Sequence, residues 1–237
     1  VPDPAVSIVR ECQLLPVEFV FRGYLTGSTS TSIWTAYERG DKHYCGHTLP
    51  EGLHRHERLP EPLLTPTTKA PMGAHDEATS REEIIANGSM SEALYDSAEE
   101  LTRSLFEAGS HFAKERGLIL VDTKYEMGRN AAGEIAVADE IHTPDSSRYW
   151  IRESYRDRHA RGEEPESLDK EFLRLWLREK GISDDNIPKL DDDIRVQVAE
   201  RYMDLFERVT GEEFTTDSND IPVKDRIEKA IEPFFPS

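Results

Sequence analysis

Leu118-Ile-Leu-Val-Asp-Thr-Lys-Tyr-Glu-Met-Gly128, a polar turn Arg129-Asn-Ala-Ala-Gly-Glu134, and Ile135-Ala-Val-Ala-Asp-Glu-Ile141 form the stretch on which the rest of the chain depends. Two short apolar runs flank a turn that contains Asn130 and Gly133, which predicts a β-hairpin. Side chains alternate across a strand, so Asp122, Lys124 and Glu126 share one face of the first arm. The second arm ends in Asp139 and Glu140. A hairpin brings Glu126 near Asp139, with the register left open. Two carboxylates beside a lysine suit Mg²⁺ and phosphate, because Mg²⁺ takes one or two carboxylates plus phosphate oxygens and lysine is a point charge for phosphate. The same residues would equally make a solvated hairpin with a surface ion pair.

A chain of 237 residues can bury a substantial core, as one large or two small domains. No apolar run approaches the ~20 residues that span a membrane. The net charge of −18 argues against nucleic acid and anionic membranes as partners. An anionic ligand would therefore need local positive charge or a bound cation. Cys12 and Cys45 are too few for a disulfide framework, which points to a reducing compartment: the cytoplasm, or a plastid if a transit peptide has been removed upstream. The opening Val1-Pro-Asp-Pro has no initiating Met and reads as the middle of a longer chain.

Before the hairpin, Val17, Phe19 and Phe21 alternate with Glu18, Val20 and Arg22, the pattern of a half-buried strand. Gly27-Ser28-Thr29-Ser30 follows, and Ser30 or Ser32 is placed to cap a short helix that Gly40 ends. His43, Cys45 and His47 alternate, which on one strand would offer zinc three ligands; a His-rich loop is the simpler expectation. Pro60, Pro62 and Pro66 confine 59–69 to extended or turn structure. Ser80 with Glu83, and Ser89 with Glu92, read as two capping boxes. Leu94, Ala98, Leu101, Leu105, Ala108 and Phe112 form a helical stripe. Beyond the hairpin, helices are expected from Arg148 to His159, around Leu168 to Trp176, after Asp191-Asp-Asp193 with Ile194 to Val209 inward, and from Pro222 to Ile231. Strands and helices are segregated, so the fold class is α+β.

Leu118–Gly128 and Asp139–Trp150 resemble the two signature segments of the SAICAR synthetase family. Val17-Glu-Phe-Val-Phe-Arg-Gly-Tyr-Leu-Thr-Gly-Ser28, Leu49-Pro-Glu-Gly-Leu53, Leu64-Thr-Pro-Thr-Thr-Lys-Ala70, His75-Asp-Glu77 and Pro165-Glu-Ser-Leu-Asp-Lys170 match further family segments, in the family's order, from near residue 16 to about residue 180. The resemblance implies a two-lobed fold with ATP between a small β-rich lobe and a larger one. The small lobe's glycine-rich hairpin and lysine are not found before Val17. Residues 1–237 are thus expected to be the larger C-terminal lobe, with 1–25 as the hinge from the missing lobe.

The resemblance further implies ATP-dependent ligation of L-aspartate to 5-aminoimidazole-4-carboxyribonucleotide through an acyl phosphate, in purine biosynthesis, with Mg²⁺ present. It implies Glu18 at the adenine, Lys124 at the nucleotide phosphates, and Glu126 with Asp139 on Mg²⁺. Arg22, Ser28, Ser146 and Arg148 would hold the ribonucleotide, and Asp145 would orient its imidazole side. Lys69 and Asp76 would lie near the incoming aspartate. A non-catalytic binding module derived from the family is the alternative, since the glycine-rich lobe is missing. A kinase is a third reading, which the Thr143-Pro-Asp-Ser-Ser-Arg148 match disfavours.

Overall fold

The computed structural model describes residues 3, 5–29, 32–69, 76–182, 188–215 and 221–234. In chain order these form β1 (Gln13–Tyr24), α1 (Ile33–Glu38), β2 (His43–Tyr44), β3 (His47–Thr48), β4 (Arg58–Leu64), β5 (Thr67–Thr68), α2 (Arg81–Ala86) and α3 (Glu92–Glu115). They continue with β6 (Leu118–Arg129), β7 (Ile135–Ala138), β8 (Ser147–Ile151), α4 (Arg152–Ala160), α5 (Glu171–Glu179), α6 (Asp192–Thr210) and α7 (Val223–Ile231). The principal sheet is antiparallel in the order β4-β1-β6-β7, with β5 added to β1 and β8 added to β6. Helices are segregated from it, as expected for an α+β chain.

Alternation along β1 and β6 divides the sheet into two faces. Val17, Phe19 and Phe21 of β1 and Tyr125 and Met127 of β6 are buried in one core with Tyr95 and Phe106 of α3. Phe19 meets Tyr95, and Phe21 stacks on Phe106, each with ring centroids 5.5 Å apart. Each such ring contributes roughly 1.5–3 kcal/mol by leaving water. The other face holds Glu18 and Arg22, both buried, opposite Glu126 and Asp122 in the β1–β6 register. Charged residues on a buried sheet face need partners, and here they supply one another's.

The hairpin forms as expected, with Glu126 opposite Ala138 and Arg129 opposite Ile135. β7 covers only the last third of β6. The first part of β6 is paired by β8 instead, Leu118 with Ile151 and Asp122 with Arg148. This corrects the expected helix from Arg148 to His159. The buried aromatic pair Tyr149-Trp150 favours a pleated position, and the helix starts only at Arg152.

α3 also differs from the sequence stripe. Tyr95, Ala98, Thr102, Phe106, Gly109 and Ala113 face the core. Leu94, Leu101 and Leu105 pack at its margin, and Ala108 and Phe112 are exposed. The small residues let the helix axis approach the sheet while the leucines flank the contact. Its N-cap is Ser91, which accepts from Leu94 N–H, and not Ser89, whose hydroxyl turns to Asn87. The capping box of Ser80 and Glu83 is present at α2, Ser32 caps α1, and Asp191 caps α6. Ser30 lies outside the described residues.

His43, Cys45 and His47 do not share one strand. Cys45 (φ 50°) and Gly46 (φ 82°) are the two turn residues of a tight β2–β3 hairpin. His43 bonds Thr48, and His47 bonds the Leu64 carbonyl at 2.6 Å. Among the described residues no three His, Cys, Asp or Glu side chains are grouped as metal ligands.

Candidate functional site

The polar face of β1 and β6 is the floor of a cleft of about 730 Å³. The loop after β1 forms one wall, the loop before β8 a second, and α5 a third. Glu18, Arg22, Ser28, Asp76, Lys124, Asp145, Ser146 and Arg148 all line it. Residues picked from separate stretches of sequence therefore converge on one place.

Two charge clusters adjoin on this side of the sheet, although Lys69, Glu126 and Asp139 are not among the residues that line the cleft. In the first, Lys124 Nζ lies 2.8 Å from Glu18 and 3.1 Å from Glu126, and Lys69 closes on the other Glu126 oxygen. Thr67 donates to Glu18 at 3.2 Å. Burial alone would raise the Glu126 carboxyl, but the bonds and charges of Lys69 and Lys124 hold it below the usual carboxylate range. Burial alone would lower Lys124, and its two carboxylates keep it above the usual lysine value. Lys69 reaches this cluster because β5 pairs with Val17 and Glu18, and Lys69 N–H donates to the Pro16 carbonyl.

In the second cluster, Asp122 accepts from Arg22 at 3.3 Å and from Arg148 at 2.5 Å. Arg148 also reaches Glu171 of α5 at 3.3 Å. Arg22 is braced by Thr65 at 2.8 Å. Burial would lower the Arg148 guanidinium, but Asp122 and Glu171 more than restore it, so it stays charged. Burial would likewise raise Glu171, which Arg148, a Ser28 hydrogen bond and Arg174 bring below the usual range. Ser28 is delivered by Gly27, whose φ of 118° and close approach to Ser32 (a Cβ there would lie 2.4 Å from the Ser32 Cβ) leave room for glycine alone.

The loop before β8 is tied to the floor by Lys124 N–H donating to the Ser146 carbonyl at 2.9 Å, and by Ser147 Oγ donating to Thr123 at 2.8 Å. Asp145 stands at its exposed tip, 3.5 Å from Lys170. Asp139 is exposed, in the left-handed region at φ 63°, one residue past β7. Since Ala138 faces Glu126, Asp139 sits beside that carboxylate's position and not directly opposite it.

Some cleft residues escaped the sequence reading. Asp169 accepts from the Tyr149 and Glu171 amides and from Ser167, each at 2.8 Å, and joins β8 to α5. Burial pushes its carboxyl up to about 6, against the pull of the Glu171 amide and the Arg148 charge. Lys170, Arg174 and Arg178 also line the cleft. Their spacing of four is the signal the sequence carries, because it sets three cations along one side of a helix.

A sequence profile of the SAICAR synthetase family matches residues 2–189. A phosphoribosylaminoimidazole-succinocarboxamide synthase of Legionella pneumophila (strain Paris) is 49% identical over 229 residues, 96% of this chain and 73% of the relative. A chloroplastic synthase of the same name from Arabidopsis thaliana is 47% identical over 230 residues, 96% of this chain and 56% of the relative. Among solved structures, the SAICAR-synthase from Saccharomyces cerevisiae complexed with SAICAR superimposes with a TM-score of 0.72 at 33% identity. That match covers 87% of this chain and 64% of the yeast one. The chain thus spans between about half and three-quarters of the length of these relatives. With the match extending over most of its length, and most of the matched segments contributing to one cleft, the chain belongs to the SAICAR synthetase family of ligases.

Proposed function

We propose that this chain supplies the substrate cleft of an ATP-dependent ligase that joins L-aspartate to 5-aminoimidazole-4-carboxyribonucleotide. The observation that carries the reading is the pair of adjoining charge clusters on one sheet face, Glu18–Lys124–Glu126–Lys69 beside Arg22–Asp122–Arg148–Glu171. A carboxylate is a poor electrophile until a phosphate leaving group is attached. The γ-phosphoryl group of ATP passes to a carboxylate oxygen of the ribonucleotide, and ADP leaves. The aspartate amine then attacks the acyl carbon. A C–N bond forms, the C–O bond to phosphate breaks, and the amine loses a proton.

Such transfers need positioning and charge, not a protein nucleophile. Lys124 is the cation for the nucleotide phosphates, and Glu18 lies at the adenine end. Arg22, Ser28, Ser146 and Arg148 hold the ribonucleotide, with Asp145 at its imidazole side. Lys69 and Asp76 stand where the aspartate enters. Glu126 of β6 and Asp139, one residue past β7, are hard oxygen donors, and their type fits the donor chemistry of Mg²⁺. Bound there, the ion would neutralise phosphate charge.

The test is isotopic. With heavy oxygen in the ribonucleotide carboxylate, the acyl-phosphate route releases labelled inorganic phosphate. Product formed with wholly unlabelled phosphate excludes that route.

A further inference from the structure

The loop before β8 brings Asp145 and Ser146 to the cleft, and the first two residues of β8 bring Ser147 and Arg148. Thr143 and Ser146 bond each other within that loop, Thr143 N–H to Ser146 Oγ at 3.1 Å and Ser146 N–H to Thr143 Oγ1 at 3.2 Å. These bonds shape the loop but do not aim it. The residue before it, His142, holds a left-handed backbone at φ 59°. A non-glycine residue keeps that conformation only where its surroundings enforce it.

The surroundings here are specific. His142 Nε2 and the Tyr125 hydroxyl share a hydrogen bond of 2.7 Å, and the two rings meet edge to face at 5.6 Å. The Tyr149 hydroxyl donates to the His142 carbonyl at 2.9 Å. On the third side is Gly109 of α3. A Cβ at that position would lie 2.4 to 3.0 Å from three atoms of the imidazole. The ring therefore fills a slot that glycine leaves open. Gly109, Tyr125 and Tyr149 belong to the core side, and none of them lines the cleft.

We propose that His142 is a positioning residue: seated between Gly109 and Tyr125, it anchors the near end of the loop whose far end is held by the Lys124–Ser146 and Ser147–Thr123 bonds, sets the direction in which 143–146 leaves the core, and so places Asp145 and Ser146 toward the ribonucleotide. The inference rests on the ligase reading for the identity of the ligand, but not for the contact itself. His142→Asn tolerates the left-handed backbone and removes the ring. Amide exchange at Ser146 and Ser147 should then rise about tenfold, as expected when local opening is eased. The ribonucleotide KM should rise about 10- to 100-fold with the ATP KM changed less than about twofold, since a small misplacement of binding groups is enough.

Gly109→Ala should act in the same direction by displacing the ring. The double variant should be no worse than His142→Asn, because the shorter side chain leaves the slot free. If His142→Asn folds poorly, Tyr125→Phe keeps the imidazole, removes one bond to it, and should give the same pattern at smaller size. Unchanged exchange in His142→Asn, or effects of Gly109→Ala and His142→Asn that simply add, would overturn the proposal. Exchange is read without substrate, so a wild-type chain that fails to bind the ribonucleotide would count against the ligase reading while exchange still decides the role of His142.

Discussion

Arg148 of β8 stands directly across the strand pair from Asp122 of β6, with its guanidinium 2.5 Å from that carboxylate. Its second nitrogen reaches Glu171 at 3.3 Å. One side chain thus joins the sheet floor to the helical wall, and it does so with the fork geometry that only arginine has. Arg148→Lys cannot span both carboxylates. It should raise the ribonucleotide KM about tenfold or more while leaving the ATP KM nearly unchanged, in line with losing a bidentate contact. Arg148→Ala leaves Asp122 to Arg22 alone and Glu171 to Arg174 alone, and should cost roughly 1.5–3 kcal/mol in denaturant unfolding, as for lost hydrogen bonds to charged groups. Unaltered ribonucleotide kinetics in the lysine variant would count against the assigned role.

Asp139→Asn tests the proposed cation site. Asp139 is exposed and follows the last residue of β7, so the exchange of oxygen for nitrogen should leave the fold intact. Mg-ATP binding, followed by calorimetry, should weaken about tenfold or more, as loss of one carboxylate ligand predicts. Undiminished affinity would remove Asp139 from the site.

Asp169 gives a pH signature. Its folded carboxyl is pushed by burial from the usual 3.8 up to about 6. The folded state therefore favours the protonated form. The contribution is fully present below about pH 4 and is lost as pH rises through about 6, amounting to roughly 3 kcal/mol. Asn cannot titrate. The stability of the native chain relative to Asp169→Asn should therefore fall by that order between pH 4 and pH 7 in urea unfolding. A pH-independent difference would refute the shift.

Neither cysteine should form a covalent intermediate. Burial pushes the Cys45 thiol up to about 11, so little thiolate exists at neutral pH. Replacing Cys12 and Cys45 together by Ser should leave turnover within about twofold, as for side chains outside the reacting groups. A burst of enzyme-bound ribonucleotide that vanishes in the double variant would contradict this.

The local pattern determined a good deal by itself. Alternation in Val17–Arg22 and in Asp122–Glu126 divided those segments into an apolar and a charged side, because the side-chain period of a strand is two whatever it pairs with. The capping box at Ser80 and the acidic start of α6 were readable because capping acts over three residues. Ordered resemblance of whole segments gave the family.

What depends on partners far along the chain was not readable. The β1–β6 register, which sets Glu18 against Glu126 and Arg22 against Asp122, joins residues about a hundred positions apart. The pairing of Asp122 with Arg148 required β8, and the periodicity of 148–159 had favoured a helix there. The burying face of α3 is offset from its leucines because packing against a sheet rewards small residues under the helix axis as much as large ones beside it. Asp169 and His142 lie in segments that match the family, yet nothing in those stretches shows the bonds of Asp169 or the slot between Gly109 and His142. Each has meaning only where a buried donor or an empty volume is supplied by another element, and that is decided by tertiary structure.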